Sequence, residues 1–379
     1  MYVTEFTLKN FRNIPSLSIQ PGRGVNIIYG MNAQGKTNLI EALWLLTGQK
    51  SFRRAREREL LRFGQASATV DAHFFAQKRQ QQCVLTLGER KSCYLNGVEL
   101  ESASGLQGEF FAVVFSPEHL TLVKEGPAIR RRFLDDAISQ IMPRYSSLLG
   151  NLNRILTQRS ALLADMQRNS GLEFMLDMWD EQLAKVGASI IRARLRYCQL
   201  LEEKAGNIYN GLSSGAERLT MRYAATTPGV TGGEGDFSII LEALRQNRRE
   251  DVRSAANTVG PHRDDLELLV EELPARLYGS QGQQRSCALA LKLAECEIIK
   301  DTAGTTPVVI LDDVLSELDK SRRCYLLGGM EQRQVFITCC DPGYFAGITD
   351  AKVFHMQAGE VAEQPLAITG REDISCTYI

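Results

Sequence analysis

Gly30-Met-Asn-Ala-Gln-Gly35-Lys36-Thr37 decides the fold, read with the apolar run Val25-Asn-Ile-Ile-Tyr29 before it and Asn38-Leu-Ile-Glu-Ala-Leu-Trp-Leu-Leu46 after it. The octet fits GxxxxGK[ST]. A strand feeding a glycine-rich turn that opens a helix is the context in which that pattern holds a nucleotide. The glycines permit backbone angles that turn successive N–H groups inward at the positive end of a helix, forming an anion cradle. Lys36 then reaches the β- and γ-phosphates, and the Thr37 hydroxyl sits on Mg²⁺. Coincidence is the alternative, and the pattern arises by chance roughly once per hundred chains of this length. The expected cofactors are ATP and Mg²⁺, with Gly30, Asn32, Gly35, Lys36, Thr37 and Asn38 around the nucleotide.

A second stretch completes the site. Thr306-Pro-Val-Val-Ile-Leu-Asp312-Asp313 is an apolar strand ending in carboxylates. Such a strand puts an acid at the sheet's carboxyl edge, where Mg²⁺ sits beside the phosphates. Asp312 is expected to act on the metal through water, and Asp313 to orient or deprotonate the attacking water. Alone the run is weak evidence, since any buried strand can end in Asp at a turn. Paired with Gly30–Thr37 it makes Lys36, Asp312 and Asp313 the catalytic candidates, and Thr37 and Asp312 the metal ligands.

Composition narrows the class. Across 379 residues, 44 basic side chains meet 45 acidic ones, so no global field advertises nucleic acid. Any polyanion site is a local patch. The start, Met1-Tyr-Val-Thr-Glu-Phe, has neither a basic segment nor a long apolar stretch, and no run approaches membrane-spanning length. A cytoplasmic protein without a membrane partner is expected. The nine cysteines show no CxxC spacing, and reduced thiols are the plain reading. The four histidines are scattered, which argues against structural zinc.

Along the chain, Val3 to Phe6, Leu17 to Ile19 and Val25 to Tyr29 read as strands. Ala68 to Phe75, Cys83 to Leu87 and Ser92 to Leu100 follow, with Asn96-Gly97 as a hairpin turn. Phe110 to Phe115 suits a buried strand. From Glu118 to about Tyr209 apolar residues recur every three or four positions, which predicts long antiparallel helices split at Arg168-Asn-Ser-Gly171. Thr226 to Gly235 reads as a mobile loop. Leu266 to Val270 reads as a strand, Gly282 to Ile299 as a helix and Val308 to Leu311 as a buried strand. One nucleotide-binding core interrupted by a helical insertion explains this order.

The two halves of the nucleotide site lie farther apart than in compact P-loop kinases and GTPases. This arrangement resembles the ABC-type ATPase heads of the SMC and DNA-repair class. Ser280-Gln-Gly282-Gln283-Gln284 resembles their signature loop, Ser316-Glu-Leu-Asp319 their D-loop, and Phe11-Arg12-Asn13 their N-terminal nucleotide-contacting turn. A hydroxyl and bare backbone ahead of a helix make a second anion cradle, the alternative being an ordinary N-capped helix. In such heads the second cradle caps the γ-phosphate held by the other protomer. The resemblance therefore implies an ATP-dependent homodimer, with Ser280, Gly282 and Gln283 acting in trans and Arg12 and Asn13 in cis.

At closer range the chain resembles the RecF family of bacterial recombinational-repair proteins. Leu8-Lys-Asn-Phe-Arg-Asn13, Phe115-Ser-Pro-Glu-His-Leu120, Arg130-Arg-Arg-Phe-Leu-Asp135, Val259-Gly-Pro-His-Arg-Asp-Asp-Leu266 and Leu311-Asp-Asp-Val-Leu-Ser-Glu-Leu-Asp319 carry the likeness. It implies an α/β fold: an ABC-type P-loop ATPase head with a mixed central sheet and antiparallel β elements, over 1–117 and 255–379, plus an inserted α-helical arm over 118–254. It further implies a clamp that binds DNA at gaps or single-strand/double-strand junctions and works with RecO and RecR to help load RecA. The chain departs from the ABC pattern in three places. Cysteines stand after Val335-Phe-Ile-Thr338 in place of a switch histidine. Asp313 replaces the usual glutamate, which suits slow hydrolysis. Ser116 to Glu118 occupies the Q-loop place.

Two arginine groups are candidate DNA contacts: Arg53, Arg54, Arg56 and Arg58, and Arg130, Arg131 and Arg132. The guanidinium fork pairs with phosphate oxygens regardless of sequence. The bland reading is a solvated face paired with Glu57, Glu59, Asp135 and Asp136. Against the clamp stand two other functions. One is a metabolic P-loop enzyme such as a small-molecule kinase, and the other is a non-catalytic adaptor that keeps ATP as a structural ligand.

Overall fold

The computed structural model describes residues 1–89, 91–167, 170–330, 332–340 and 351–364. The chain divides into two compact units, Met1–Leu120 with Ala288–Ile379, and Thr121–Cys287.

In the first unit, alternating apolar residues build one antiparallel sheet. Its strands are β1 (Tyr2–Phe11), β2 (Ile14–Ile19), β4 (Ser67–Ala76), β5 (Arg79–Gly88), β6 (Ser92–Leu95) and β7 (Val98–Leu100), in the order β2-β1-β4-β5-β6-β7. Along β4, Ala68, Val70, Ala72 and Phe74 are buried while their neighbours are not, the period-two pattern of a sheet packed on one face. The second sheet holds β3 (Val25–Tyr29), β8 (Ala112–Phe115), β12 (Val308–Asp312), β13 (Val335–Cys339), β14 (Ala351–Gln357) and β15 (Glu360–Gln364). Its order is β15-β14-β3-β13-β12-β8, parallel throughout except for β15. β12 and β13 are buried at every position, as central parallel strands must be.

One apolar core joins these layers. It includes Phe6 and Leu8 of β1, Leu39, Ile40 and Leu43 of α1 (Lys36–Leu45), and Ile310 and Phe336 of the parallel sheet. Short helices α2 (Glu57–Leu60) and α3 (Pro117–Leu120) and the longer α10 (Lys320–Gly328) complete the unit. The order matters for the site, because β13 lies between β3, which leads into the loop before α1, and β12, which ends in Asp312.

The second unit carries α4 (Pro127–Ile141), α5 (Arg144–Met166), α6 (Phe174–Leu212) and α7 (Asp236–Ser254). A three-stranded antiparallel sheet of β9 (Leu219–Ala224), β10 (Asp265–Val270) and β11 (Leu273–Pro274) and the short α8 (Ala275–Tyr278) accompany them. Helix α9 (Gln281–Ala303) begins in this unit and ends in the first. β10 pairs with β9, residue for residue from Asp265↔Ala224 to Val270↔Leu219. That pairing keeps 255–287 in the second unit, whereas the sequence reading gave these residues to the head. β9 itself went unread, since it is short and polar on its outer face.

Buried charge organises this unit. Arg159 of α5 is fully buried and binds Asp180 of α6 at 2.9 Å, Asp251 of α7 at 2.6 Å and Asn257 at 2.8 Å. Arg194 of α6 binds Asp135 of α4 through both terminal and inner nitrogens, Tyr145 at 3.0 Å and the carbonyl of Pro261 at 2.6 Å. The Thr226–Gly235 segment is tied down at both ends. Thr226 donates twice to Asp264, and Asp236 accepts from Thr231 and Gly232 N–H. Part of the predicted split at 168–171 lies outside the described residues.

Seven described cysteines are free thiols, as expected, while Cys324 is disulfide-bonded, which the sequence reading did not anticipate. Among the described residues no helix is long and apolar enough to cross a membrane.

Candidate functional site

The phosphate-binding loop joins the end of β3 to α1, and two of its glycines have no substitute. Gly30 stands at φ 155°, where a methyl group would lie 2.2 Å from the Met356 carbonyl of β14. Gly35 stands at φ 112°, and a methyl there would lie 2.7 Å from Asn13 Oδ1. A side chain at either position meets both an unfavourable backbone angle and an occupied space. Lys36 is nearly buried, and its Nζ donates to the carbonyls of Gly30 at 2.6 Å and Met31 at 2.9 Å. The ammonium is therefore held along the inner edge of the loop.

Thr37 and Asp312, distant in sequence, meet directly: Thr37 Oγ1 donates to Asp312 Oδ1 at 3.0 Å. Thr338 at the end of β13 donates to the same oxygen at 2.8 Å and accepts from the Asp313 N–H at 3.1 Å. The register Asp312↔Thr338 between parallel strands produces this arrangement. Burial pushes the Asp312 carboxyl above its ordinary range, against the hydrogen bonds of Thr338 and Thr37 and the positive charge of Arg53. Asp313 is exposed, in the left-handed region at φ 51°, and Ser316 Oγ donates to its carbonyl at 2.8 Å. Aspartate tolerates that conformation better than most residues.

A hydroxyl and a carboxylate are hard oxygen donors, which fits Mg²⁺ better than a softer metal. Among the described residues no group of three or more His, Cys, Asp or Glu could hold a metal ion. An ion at Thr37 and Asp312 would therefore complete its shell with water and phosphate, the habit of Mg²⁺.

Arg12 and Asn13 come to the same place. Asn38 donates to Asn13 Oδ1 at 2.8 Å, and Asn13 donates to the Ala33 carbonyl at 3.4 Å. Arg12 forms a two-pronged pair with Glu41 of α1 at 2.8 and 2.9 Å. Asn32 is exposed at the loop's outer edge and accepts from Cys340 Sγ at 3.1 Å. Cys340, one of the cysteines that stand in place of a switch histidine, also lies 3.8 Å from Lys36 Nζ.

The signature-like loop belongs to the second unit. Ser280 Oγ accepts from Gln283 N–H at 3.2 Å, and Gln283 Oε1 accepts from Ser280 N–H at 2.7 Å. This reciprocal box is the N-cap of the bland reading. Gln283 Nε2 also reaches Glu217 at 2.8 Å. Ser280 and Gln281 are exposed, and so are Leu273, Leu277 and Tyr278 just upstream. In the D-loop-like stretch, Asp319 caps α10 by accepting from Arg322 N–H at 3.0 Å.

The arginine candidates divide. Arg130 is buried and spends its guanidinium on Asp265, at 2.8 Å through two nitrogens, and on the carbonyls of Leu122, Val123 and Glu125. Its guanidinium is thus engaged inside the second unit, unlike those of the exposed candidates. Arg131 donates to the Asp264 carbonyl at 2.7 Å, and Arg132 pairs with Asp136 at 3.3 Å. Arg53, Arg54 and Arg56 are all exposed, and Arg53 also lies 2.9 Å from Asn38 Oδ1 beside the phosphate loop.

The family profile of the RecF/RecN/SMC N terminal domain matches residues 2–362. The DNA replication and repair protein RecF of Ruminiclostridium cellulolyticum is 36% identical over 356 residues, covering 93% of this chain and 96% of that protein. Its counterpart in Agathobacter rectalis is 38% identical over 367 residues, covering 95% and 99%. The chain belongs to the RecF/RecN/SMC family.

A solved structure of the recombination mediator protein RecF with ATPrS, in the RecFOR pathway, superimposes with a TM-score of 0.90 at 34% identity, over 96% of this chain and 98% of that one. Its ATP complex gives 0.88. An Smc head bound to the C-winged helix domain of ScpA, at 16% identity and TM-score 0.56, shares the fold. The expected ABC-type ATPase head is thereby established, and family membership makes the chain an ATPase.

Sequence reasoning missed Thr338 and Glu41. Thr338 was visible only as the end of a strand, and its meaning came from the pairing with β12. Glu41 did leave a signal: it is the lone charge between Lys36 and Leu46.

Proposed function

We propose that the chain is an ATP-dependent DNA clamp of recombinational repair, in which ATP and Mg²⁺ close a homodimer on DNA at gaps or single-strand/double-strand junctions. The observation that carries this reading is the assembled phosphate site of Lys36, Thr37 and Asp312, set in a family whose close relatives are DNA replication and repair proteins. Backbone N–H groups of the loop and Lys36 hold the β- and γ-phosphates, and Arg12, Asn13, Asn32 and Asn38 flank them. Thr37 and Asp312 hold the ion, which neutralises charge on the phosphates when bound. Asp313 orients or deprotonates the attacking water. Its carboxylate is one methylene shorter than a glutamate's, which favours slow turnover and a switch rather than a motor.

Ser280, Gly282 and Gln283 act on the nucleotide of the second protomer. The exposed Leu277 and Tyr278 beside them supply apolar surface for that second copy to cover. RecO and RecR are the partners suggested by the pathway of the solved relatives, with RecA loading as the outcome.

Binding to gapped, single-stranded and duplex DNA, titrated with salt in the presence and absence of ATP, tests substrate class and nucleotide coupling together. The clamp requires ATP to tighten binding to gapped DNA. Equal affinity with and without ATP would remove it, and phosphate transfer to a metabolite would favour the kinase alternative.

A further inference from the structure

Glu41 is the one acid on α1, one turn beyond Thr37, and it is fully buried. A buried carboxylate needs all its acceptor capacity matched. Here the donors come from two separate segments. Arg12, in the turn after β1, takes both oxygens at 2.8 and 2.9 Å. Ser51, beyond the C-terminus of α1, donates its hydroxyl to Oε1. Arg53 stands 3.6 Å from Oε2 and 2.9 Å from Asn38 Oδ1. Asn38 closes a ring by donating to Asn13, which reaches back to the loop carbonyl of Ala33.

The Ser51 end is equally well fixed. Ser51 Oγ accepts from the Arg53 N–H at 3.1 Å. Just before it, the Lys50 carbonyl accepts from Trp44 Nε1 at 2.9 Å, and Trp44 packs edge-on against Phe52. One acid thus ties the turn that flanks the nucleotide to the segment that leads into the exposed Arg54 and Arg56.

We propose that Glu41 is a positioning residue that couples nucleotide occupancy at Arg12 to the geometry of the Ser51–Arg56 segment. A phosphate that draws Arg12 toward itself leaves part of the carboxylate to Ser51 and Arg53, which shifts the segment. By reciprocity, loosening the segment weakens nucleotide binding. This inference rests on the nucleotide reading above but needs neither DNA nor a dimer.

Trp44 offers a direct reporter. The chain has two tryptophans, so Trp179→Phe leaves Trp44 as the sole indole. In that full-length background, ATP with Mg²⁺ is titrated while Trp44 emission is read, and ATP affinity is measured separately by calorimetry. The expected result is a saturable emission change and a loss of affinity of roughly 3- to 10-fold in Ser51→Ala. In the Glu41→Gln background, Ser51→Ala should change affinity by less than about twofold, because the connection is already cut. Should Glu41→Gln not fold, Arg53→Gln, at a half-exposed side chain, replaces it in the cycle. A merely structural Glu41 would lower the melting temperature yet leave the affinity effects of Ser51→Ala and Glu41→Gln multiplying independently. That outcome, or ATP binding with a silent Trp44, would overturn the proposal. A parent chain that binds no ATP at all would overturn the nucleotide reading itself, and this inference with it.

Discussion

Asp312 shows what the ATP site costs the fold. Its carboxyl is buried where burial disfavours charge, and Asp313 adds repulsion, so its pKa is raised despite two hydroxyl donors. Between the ordinary and the raised pKa the folded chain binds more protons than the unfolded one, so stability falls as pH rises through that window. Above the window the whole penalty remains. Asp312→Asn keeps an acceptor oxygen for Thr37 and Thr338 while removing the charge. Thermal melts without nucleotide should therefore show the variant a few degrees more stable than the parent at about pH 7.5. The gap should close below about pH 4, where the parent carboxyl is protonated in both states. Hydrolysis should be lost at every pH. A variant no more stable than the parent at neutral pH would mean that hydrogen bonding, not burial, governs this acid.

Elements of the second unit are joined by buried charge as well as by apolar packing. Arg159 bonds both Asp180 and Asp251 from within the core, with Arg248 approaching Asp180 from the rim at 2.8 Å. Arg159→Met leaves buried carboxylates on α6 and α7 without their central partner. Urea unfolding should report a loss of roughly 3–5 kcal/mol, against no more than about 1 kcal/mol for the more exposed Arg253→Met. The same logic separates the arginine candidates for DNA. Arg130→Gln should destabilise the unit and leave the salt slope of DNA binding unchanged. Arg54→Gln or Arg56→Gln should lower that slope by about one each with little change in stability. The strands of the head were legible because period-two patterning and turn residues are local signals. β9 and the hairpin of β14 and β15 were not, since their burial depends on partners far away in sequence. For the site, Gly30–Thr37 and Asp312 were readable from residue type and context. Thr338 and the internal use of Arg130 depend on strand register and on Asp265, which no local pattern carries.

At the scale of the whole molecule, the question is why a chain with one phosphate loop also presents a second helix N-terminus of signature type. As an ordinary cap, Ser280 would need only the reciprocal bonds it makes with Gln283. Yet Gln283 is also anchored to Glu217, and the loop is flanked by exposed Leu273, Leu277 and Tyr278. Exposed apolar side chains grouped beside a helix N-terminus fit a surface that a second protomer covers, with its triphosphate facing the cap. Ser280→Arg tests this, because a long cation there fills the space for a γ-phosphate without touching Lys36 or Thr37. The variant should bind ATP within about threefold of the parent, since the cis site is intact. Sedimentation should show the parent shifting to twice its mass with ATP while Ser280→Arg stays monomeric and hydrolyses at least about tenfold more slowly. Lys36→Ala is the complementary control, losing nucleotide binding and the dimer together. If Ser280→Arg dimerised normally with ATP, the cap would be only a cap, and hydrolysis would belong to one protomer alone.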